Sequence, residues 1–392
     1  MKKGSRIFVG DRVLWIIFAL LCGISLVAVY SAIGFSAIAK SNSTPGHIFL
    51  KHAVIVAVTW LCVLVLAHIN YRYFSKPSKA LFFIVLALLF AVLLVGREGR
   101  WFNLFGMSIQ PSELAKIVLV VFLANRINAN RDHIEEKQTF IVLLVPIILI
   151  CFLVGIANLS SAILILVASY FTIFFGGVDR HLWWKYFIIL AGLAIVGFVI
   201  LYFVGDKLDV ARSSTWGHRL QSWLHPNPNE LTQENMVRMA VARGGFLGAG
   251  VGTTIHGRLM TQAHNDFIFA VILEEKGMLA GICIFALYCW FYLRCIRIAT
   301  RCQGIFGSIC VAGIGTIIFL QAITNMAVAV GLLPVTGQTL PFISYGGSAY
   351  IFLGCGIGII QSVAADNRKK ELAIAKQENT QDPNIETNNN EQ

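Results

Sequence analysis

Long apolar runs separated by short polar stretches recur along almost the whole chain. A run of about 18 or more apolar residues can cross a hydrocarbon core of roughly 30 Å as a helix. The runs predict ten spans, near residues 13–35, 49–69, 80–96, 112–125, 139–155, 158–177, 186–204, 266–293, 305–331 and 348–364. The alternating segments typical of a transmembrane barrel are absent from the sequence. The pattern therefore predicts an all-α polytopic membrane protein with ten transmembrane helices and a large outer loop, about 205–265, between spans 7 and 8.

Composition supports this class, because 57% of the residues are hydrophobic and only 13% are charged. Soluble domains carry roughly 25% charged residues. The first run, 13–35, is too long for a signal-peptide core, so we expect it to remain as an anchor. The predicted organisation is a cytoplasmic N-terminus (1–12), a membrane domain (13–366) and a polar cytoplasmic tail (367–392), which we expect to be disordered because its end is rich in Asn, Gln and Glu.

Lysine and arginine predict the orientation. Short segments on alternate sides of the predicted spans differ strongly in basic residues, and basic segments stay in the cytoplasm. The richer side, which includes both ends of the chain, holds Lys2, Lys3, Arg6, Arg12, Arg72, Lys76, Lys79, Arg126, Arg131, Lys137, Arg180, Lys185, Arg294, Arg297, Arg301, Arg368, Lys369, Lys370 and Lys376. We therefore expect both termini to be cytoplasmic. The net charge of +11 then indicates topology and contact with anionic lipid, not nucleic-acid binding.

Asp266 lies where a polar stretch turns into the eighth apolar run. An ionisable group at such a position is costly, and it is by default a candidate functional site. The alternative is that Asn265 or Asp266 only caps the helix by accepting first-turn N–H bonds. A carboxylate at a helix start would also have its pKa kept low by the helix dipole. Position alone does not decide between an acid with a function and a cap.

A second polar cluster leads into the fourth span. Glu113 and Lys116 are three residues apart, so they share a helix face and can pair. A structural ion pair is one reading; the other is a charged cavity, with Arg97 and Arg100 near its mouth. The predicted outer loop supplies more positive charge, and its glycine-rich segment 244–252 follows Arg243. We expect a compact re-entrant turn there, because neither a strand nor a Lys-Ser/Thr pair supports a nucleotide-binding loop.

A third cluster combines Gln321 and Asn325, four residues apart, with the loop 331–348. Prolines and glycines predict a rigid turn in this loop, and the two amides predict hydrogen bonds between helices. Ser344 and Ser348 have no histidine nearby and no Gly-x-Ser-x-Gly context, which argues against a serine hydrolase.

Three segments together resemble the SEDS family (shape, elongation, division and sporulation). They are Gly99-Arg100-Trp101 with Gln110-Pro111-Ser112-Glu113-Leu114-Ala115-Lys116, Ala263-His264-Asn265-Asp266-Phe267-Ile268-Phe269-Ala270 with Glu274-Glu275, and Leu333-Pro334 with Leu340-Pro341-Phe342-Ile343-Ser344-Tyr345-Gly346-Gly347-Ser348. The resemblance runs from about residue 10 to 366. It implies a ten-span bacterial inner-membrane glycosyltransferase that polymerises lipid II into peptidoglycan outside the membrane with a class B penicillin-binding transpeptidase. Gly10-Asp11-Arg12 and Tyr71-Arg72-Tyr73-Phe74 look more like FtsW (septum) than RodA (side wall).

The resemblance also implies roles for individual residues. Asp266 matches the family's catalytic aspartate and would act as general base. Expected substrate contacts, to lipid II and polyprenyl-pyrophosphate-linked glycan, involve Arg100, Glu113, Lys116, Arg243, His264, Ser344 and Gly346, with Arg97 and Arg219 as further candidates for the pyrophosphate. A divalent cation (Mg or Mn) could help, although no ligand cluster predicts one. Other division or elongation membrane proteins are expected partners.

The sequence departs from the family pattern at Asn158, Met236 and Lys276, so loop contacts at these positions differ from those of many members. The alternative function is a flippase or transporter of the lipid-linked precursor, for which the intramembrane Glu113–Lys116 pair is the main support. The lack of an internal repeat argues against it. A scaffold that only recruits division proteins would leave the embedded charges unexplained.

Overall fold

The computed structural model describes residues 8–40, 45–96, 100–104, 107–204, 213–225, 232–255 and 265–381. Within them, ten long helices lie where the apolar runs predict them. They are α1 (Arg12–Lys40), α2 (Pro45–His68), α3 (Ser78–Val95), α4 (Pro111–Ala129), α5 (Lys137–Ala157), α6 (Leu159–Phe175), α7 (Arg180–Val204), α10 (Ile268–Thr300), α11 (Ile305–Ala329) and α12 (Gly347–Gln381). By length and composition, seven of the described helices can cross a membrane, and α6 is a shorter apolar helix.

The segments between the long helices contain further structure that the sequence reading did not predict. A hairpin of two antiparallel strands, β1 (Phe102–Leu104) and β2 (Met107–Ile109), precedes α4. Two short helices, α8 (Ser213–Leu224) and α9 (Gln233–Gly244), lie within the large loop. The expectation of an all-α chain is therefore wrong at the hairpin, because strands of three residues are too short to show a detectable alternation of apolar and polar positions.

The last helix is longer than its apolar run. It continues to Gln381, so residues 367–381, expected to belong to a disordered tail, are helical in this structure. Leu, Ala, Lys and Glu dominate the sequence just after Asn367, and these residues have high intrinsic helix propensity. The remainder of the predicted tail lies outside the described residues.

The centre of the bundle is α11, which packs against α4, α6, α10 and α12. Small residues allow this close packing, as is usual between membrane helices. A Cβ on Gly313 would lie 2.6 Å from Val120 Cγ1 of α4, and one on Gly356 of α12 would lie 2.8 Å from Ile314 Cγ2. The central helix therefore places its own Gln321 and Asn325, both of which are buried, between α4, the start of α10 and the loop that leads to α12.

Two helix boundaries matter for the site. Asn158 separates α5 from α6, and its Oδ1 accepts a hydrogen bond from Ser161 N at 3.3 Å, which caps α6. Gly277 interrupts α10 with φ 77° and ψ −179°, a conformation essentially restricted to glycine. The first part of α10 is therefore a separate short segment between Asp266 and the break.

Candidate active site

Asp266 stands two residues before α10 and is partly buried. Phe267 occupies the N-cap position, and no side chain caps the helix there. Among the described residues no first-turn N–H donates to the Asp266 carboxylate, and Asn265 Oδ1 accepts no hydrogen bond. The capping alternative is therefore wrong for both residues. Within the described residues, no helix N–H occupies the carboxylate.

The backbone of Asp266 is fixed by α11. Asn325 Nδ2 donates to Asp266 O at 2.8 Å and to Gln338 O at 2.7 Å. One amide thus joins the start of α10 to the loop between α11 and α12. Gly337 of this loop lies beside the carboxylate, since a Cβ at Gly337 would be 3.7 Å from Asp266 Oδ2. Even the smallest side chain at Gly337 would contact the carboxylate.

The charge environment of Asp266 is set by burial and by two arginines. Burial raises the pKa of Asp266 to about 6, and the positive charges of Arg219 and Arg100 lower it. Contrary to the expectation of a low pKa, the pKa of Asp266 is raised, because desolvation of the carboxylate outweighs the two arginines. A carboxyl group with this pKa is largely ionised at neutral pH and is a stronger base than an ordinary aspartate.

Both arginines are held by backbone carbonyls from other elements. Arg100 Nε donates to Ala157 O, the last residue of α5, at 2.6 Å. Arg219 of α8 donates through Nη1 to Val335 O at 3.3 Å. Trp223, one turn further along α8, donates through Nε1 to Gly331 O at 3.0 Å. The short helix α8 is therefore docked on the α11–α12 loop, which brings the Arg219 guanidinium to the site.

A buried polar network connects Asp266 to the interior of the bundle. The predicted ion pair forms, with Lys116 Nζ 2.8 Å from Glu113 Oε1. Lys116 is completely buried, and its ammonium also donates to Gln321 Oε1 at 2.7 Å and Gln338 Oε1 at 3.4 Å. Such multiple partners offset the cost of burying an ammonium group. Direct contact of Glu113 or Lys116 with substrate stays a prediction; in this structure they position the loop that carries Gln338.

Gln338 is the residue that sequence reasoning missed. Its side chain contacts Lys116 through Oε1 and donates through Nε2 to Ser161 Oγ at 2.6 Å, while its backbone carbonyl binds Asn325. It therefore links α4, α6, α11 and Asp266. A glutamine between two prolines in a loop gives no periodic signal, so only the contacts reveal its importance.

Arg243 lies in a different cluster. Its Nη1 donates to Glu274 Oε1 at 2.9 Å and to Thr253 O at 2.7 Å. Glu274 is completely buried and also accepts from Ile255 N at 2.9 Å. Lys276, one of the departures from the family pattern, is exposed. Arg243 therefore anchors the glycine-rich turn to α10, and its contact with substrate stays a prediction.

The other predicted contact residues have different surroundings. Ser344 is buried, and its Oγ accepts a hydrogen bond from Leu340 N at 2.8 Å, so it stabilises the turn of the loop. Gly346 O accepts from Tyr350 N at 2.9 Å at the start of α12. His264 and Arg97 lie outside the described residues. Within the described parts of the chain, no group of three His, Cys, Asp or Glu side chains could hold a metal ion.

The site can therefore bring a base and fixed positive charge together. A partly buried carboxylate with a pKa near neutrality can accept a proton, and guanidinium groups stabilise phosphate oxygens. Apolar residues of α3 and α5, including Val92 and Leu153, lie beside Arg100. The fold and the site define a polytopic helical membrane protein with a charged site at one end of its bundle.

The chain belongs to the FtsW/RodA/SpoVE family, since residues 11–369 match the family described as "Cell cycle protein". This confirms the resemblance to the SEDS proteins. A relative from Trichlorobacter lovleyi, named "Probable peptidoglycan glycosyltransferase FtsW", is 31% identical over 93% of this chain and 96% of its own length. A Bacillus subtilis relative with the same name is 30% identical over 92% of this chain and 93% of its own length.

Solved structures share the fold. The Thermus thermophilus rod shape determining protein RodA superposes with a TM-score of 0.66 at 24% identity, covering 91% of this chain and 97% of that chain. A chain of the structure described as "Structural coordination of polymerization and crosslinking by a peptidoglycan synthase complex" gives 0.73 at 24% identity, covering 91% and 98%. The helical bundle described above is therefore a RodA-like fold.

Proposed function

We propose that this protein is a peptidoglycan glycosyltransferase that polymerises lipid II into glycan strands, with Asp266 as general base. The observation that carries the proposal is the placement of the Asp266 carboxylate, with a pKa near 6, under the influence of Arg219 and Arg100. The names of the relatives supply the reaction class. The geometry supplies groups suited to its two chemical needs, a base and a stabiliser of a leaving diphosphate.

In the proposed reaction, the 4-hydroxyl of an N-acetylglucosamine attacks an anomeric carbon that carries polyprenyl pyrophosphate. The new glycosidic C–O bond forms as the bond from that carbon to the pyrophosphate oxygen breaks. Asp266 takes the hydroxyl proton, a contribution of about 10²–10⁴-fold to the rate. Arg100 and Arg219 stabilise the negative charge that develops on the leaving pyrophosphate. A divalent cation such as Mg or Mn, if required, would add charge at the same oxygens.

The proposal includes an arrangement in the membrane. All ten long helices span the bacterial cytoplasmic membrane, with both termini in the cytoplasm and Asp266 at the outer surface. The distribution of lysine and arginine supports this orientation. A class B penicillin-binding transpeptidase is the proposed partner, because a chain of similar fold is found in a structure described as a peptidoglycan synthase complex that coordinates polymerization and crosslinking.

The direct test is reconstitution. Purified protein in detergent, mixed with a class B transpeptidase and labelled lipid II, is expected to produce glycan strands that electrophoresis resolves by length. Lysozyme should digest the product, which excludes aggregates of lipid II. Unchanged lipid II under conditions where a known polymerase is active would refute the proposed reaction.

The flippase alternative predicts a different result. Proteoliposomes with fluorescent lipid II in the inner leaflet would expose the label to an external quencher if the protein moves the lipid. We expect no acceleration over protein-free vesicles. Acceleration without strand synthesis would favour transport.

We further propose a septal role, on the FtsW names of the relatives and the FtsW-like motifs near residues 10–12 and 71–74. A fluorescently tagged copy should concentrate at midcell during division, and its depletion should produce filaments. Labelling along the side wall with rounded cells on depletion would instead indicate a RodA-like role.

A further inference from the structure

A second charged site lies at the end of α10 far from Asp266. Here the start of α1, the end of α10 and the extension of α12 line an open cavity of about 370 Å³. This volume falls within the range of small-molecule sites, roughly 300–1,000 Å³. Five arginines line the cavity, Arg12, Arg294, Arg297, Arg301 and Arg368, against two carboxylates, Asp11 and Glu371. The cavity therefore has a strong excess of positive charge.

Only part of this charge is neutralised. Arg294 forms a two-point pair with Asp11 Oδ2, at 2.6 and 2.9 Å, and Arg301 lies 3.6 Å from Glu371 Oε1 at an exposed position. The side chains of Arg12, Arg297 and Arg368 make no hydrogen bond or ion pair within the part of the chain that the structure describes. Three guanidinium groups are thus available to a ligand.

The walls of the cavity are fixed by buried contacts. Gln361 of α12 accepts from Asp11 N at 2.8 Å and donates to Asp11 O at 3.1 Å, which ties the start of α1 to α12. Asn367 Nδ2 donates to Ile298 O at 3.0 Å, which ties α12 to α10. A Cβ on Gly10 would lie 2.4 Å from Gln361 Oε1, so glycine is needed for this approach. The arginines are therefore presented by a preformed frame.

The lining also indicates the kind of ligand. Val13, Ile298 and Ala364 give the cavity an apolar side next to the guanidinium groups. These residues lie at the ends of membrane helices, where lipid headgroups meet acyl chains. Arginine binds phosphate oxygens in two-point geometry, and juxtamembrane basic residues attract anionic lipid. We propose that this cavity binds the phosphate group of an anionic phospholipid and so is a specific lipid site separate from Asp266.

The test compares lipids on the full-length protein. Protein purified in mild detergent is titrated with phosphatidylglycerol or phosphatidylcholine, and bound lipid is counted by native mass spectrometry. We expect phosphatidylglycerol to bind more tightly than phosphatidylcholine. The double variant Arg297→Gln with Arg368→Gln should bind phosphatidylglycerol roughly 30-fold more weakly, since each arginine contributes about 1 kcal/mol to binding.

Matched variants distinguish specific binding in the cavity from non-specific attraction of anionic lipid to positive charge. Arg131→Gln with Arg180→Gln removes the same charge from exposed positions outside the cavity and should leave lipid binding unchanged. Arg297→Lys with Arg368→Lys keeps the charge but not the two-point geometry, so it should bind phosphatidylglycerol less tightly than wild type and more tightly than the glutamine variant. Unfolding temperatures of both variants verify that each is folded. Equal binding of both lipids to the wild type, or equal loss in the control variant, would overturn the proposal. If the cavity binds inorganic phosphate but not phosphatidylglycerol, its ligand is free phosphate and the proposed lipid site is wrong.

Discussion

Two opposing effects determine the pKa of Asp266: burial raises it, and the charges of Arg219 and Arg100 lower it. Since the deprotonated form is the base, activity should depend on the fraction that is ionised. With a pKa of about 6, kcat/KM for strand synthesis should fall about tenfold per pH unit below pH 6 and level off above pH 7. A pH–rate profile of the reconstituted enzyme measures this. A profile flat down to pH 4.5 would contradict the assignment of the base.

Arg219 should influence that profile. Its charge lowers the pKa of Asp266, so Arg219→Gln should move the acid limb of kcat/KM to higher pH as well as reduce the rate. Arg180→Gln, an exposed position at the start of α7, is the control and should leave the limb in place. An unchanged limb in Arg219→Gln would show that the arginine does not act on the carboxylate.

Lys116 has a structural importance that can be measured without substrate. Lys116→Met leaves Glu113 buried without its charge partner, and breaking a buried pair costs about 3–5 kcal/mol. Thermal unfolding in detergent should show a clear loss of stability. Lys79→Met, at an exposed position of α3, should be close to wild type. Equal unfolding temperatures for the two variants would show that the network contributes little.

At the residue scale, the sequence predicted part of the site. The Glu113–Lys116 pair follows from helical spacing, and Gln321 and Asn325 were expected to bridge helices. The sequence did not predict three other features: the link through Gln338, the pairing of Arg243 with Glu274 and the raised pKa of Asp266. These depend on distances between residues remote in sequence, which one sequence does not contain.

At the scale of elements, the glycine-rich turn forms hydrogen bonds with the carbonyl groups beside the break in α10. Ala249 N donates to Glu274 O at 2.9 Å and Gly250 N to Glu275 O at 3.0 Å. These carbonyls are among those that the break at Gly277 leaves without helical partners. The turn thus replaces hydrogen bonds that an uninterrupted helix would make.

Gly277→Ala tests this arrangement. A Cβ there would lie 2.4 Å from Gly248 N, and the backbone conformation is unfavourable for alanine by about 1–3 kcal/mol. We expect lower thermal stability and reduced strand synthesis, since α10 begins beside Asp266. The control, Gly192→Ala in α7, meets no atom within 4 Å and should be neutral or slightly stabilising. If the two variants have the same thermal stability and the same rate of strand synthesis, the contact between the turn and the break in α10 does not stabilise the protein.

The long apolar runs located the long helices because each of these helices is built mainly from apolar residues, although α10 continues to Thr300 and α12 to Gln381, beyond their runs. The runs missed the β1–β2 hairpin, the two loop helices and the length of α12. Those elements are short or polar, and their stability comes from docking on neighbours, as when Trp223 of α8 binds Gly331 O. Tertiary contacts of this kind are not visible as a local pattern.

At the scale of the whole molecule, the proposed topology predicts the side on which each segment lies. Alkaline phosphatase, active only outside the cytoplasm, should be active when inserted within 226–231 and inactive when fused after residue 392. Green fluorescent protein at the same two points should give the reverse pattern. Activity at both points, or at neither, would contradict the predicted orientation.

The most direct test of the account is the rate of lipid II polymerisation by Asp266→Asn beside wild type and Asp132→Asn, an exposed aspartate remote in sequence. All three are purified with the same transpeptidase, and unfolding temperatures verify that each is folded. We expect Asp132→Asn to equal wild type and Asp266→Asn to be slower by about 10²-fold or more, because the base is lost. Strand synthesis by Asp266→Asn at the wild-type rate would contradict the role assigned to Asp266.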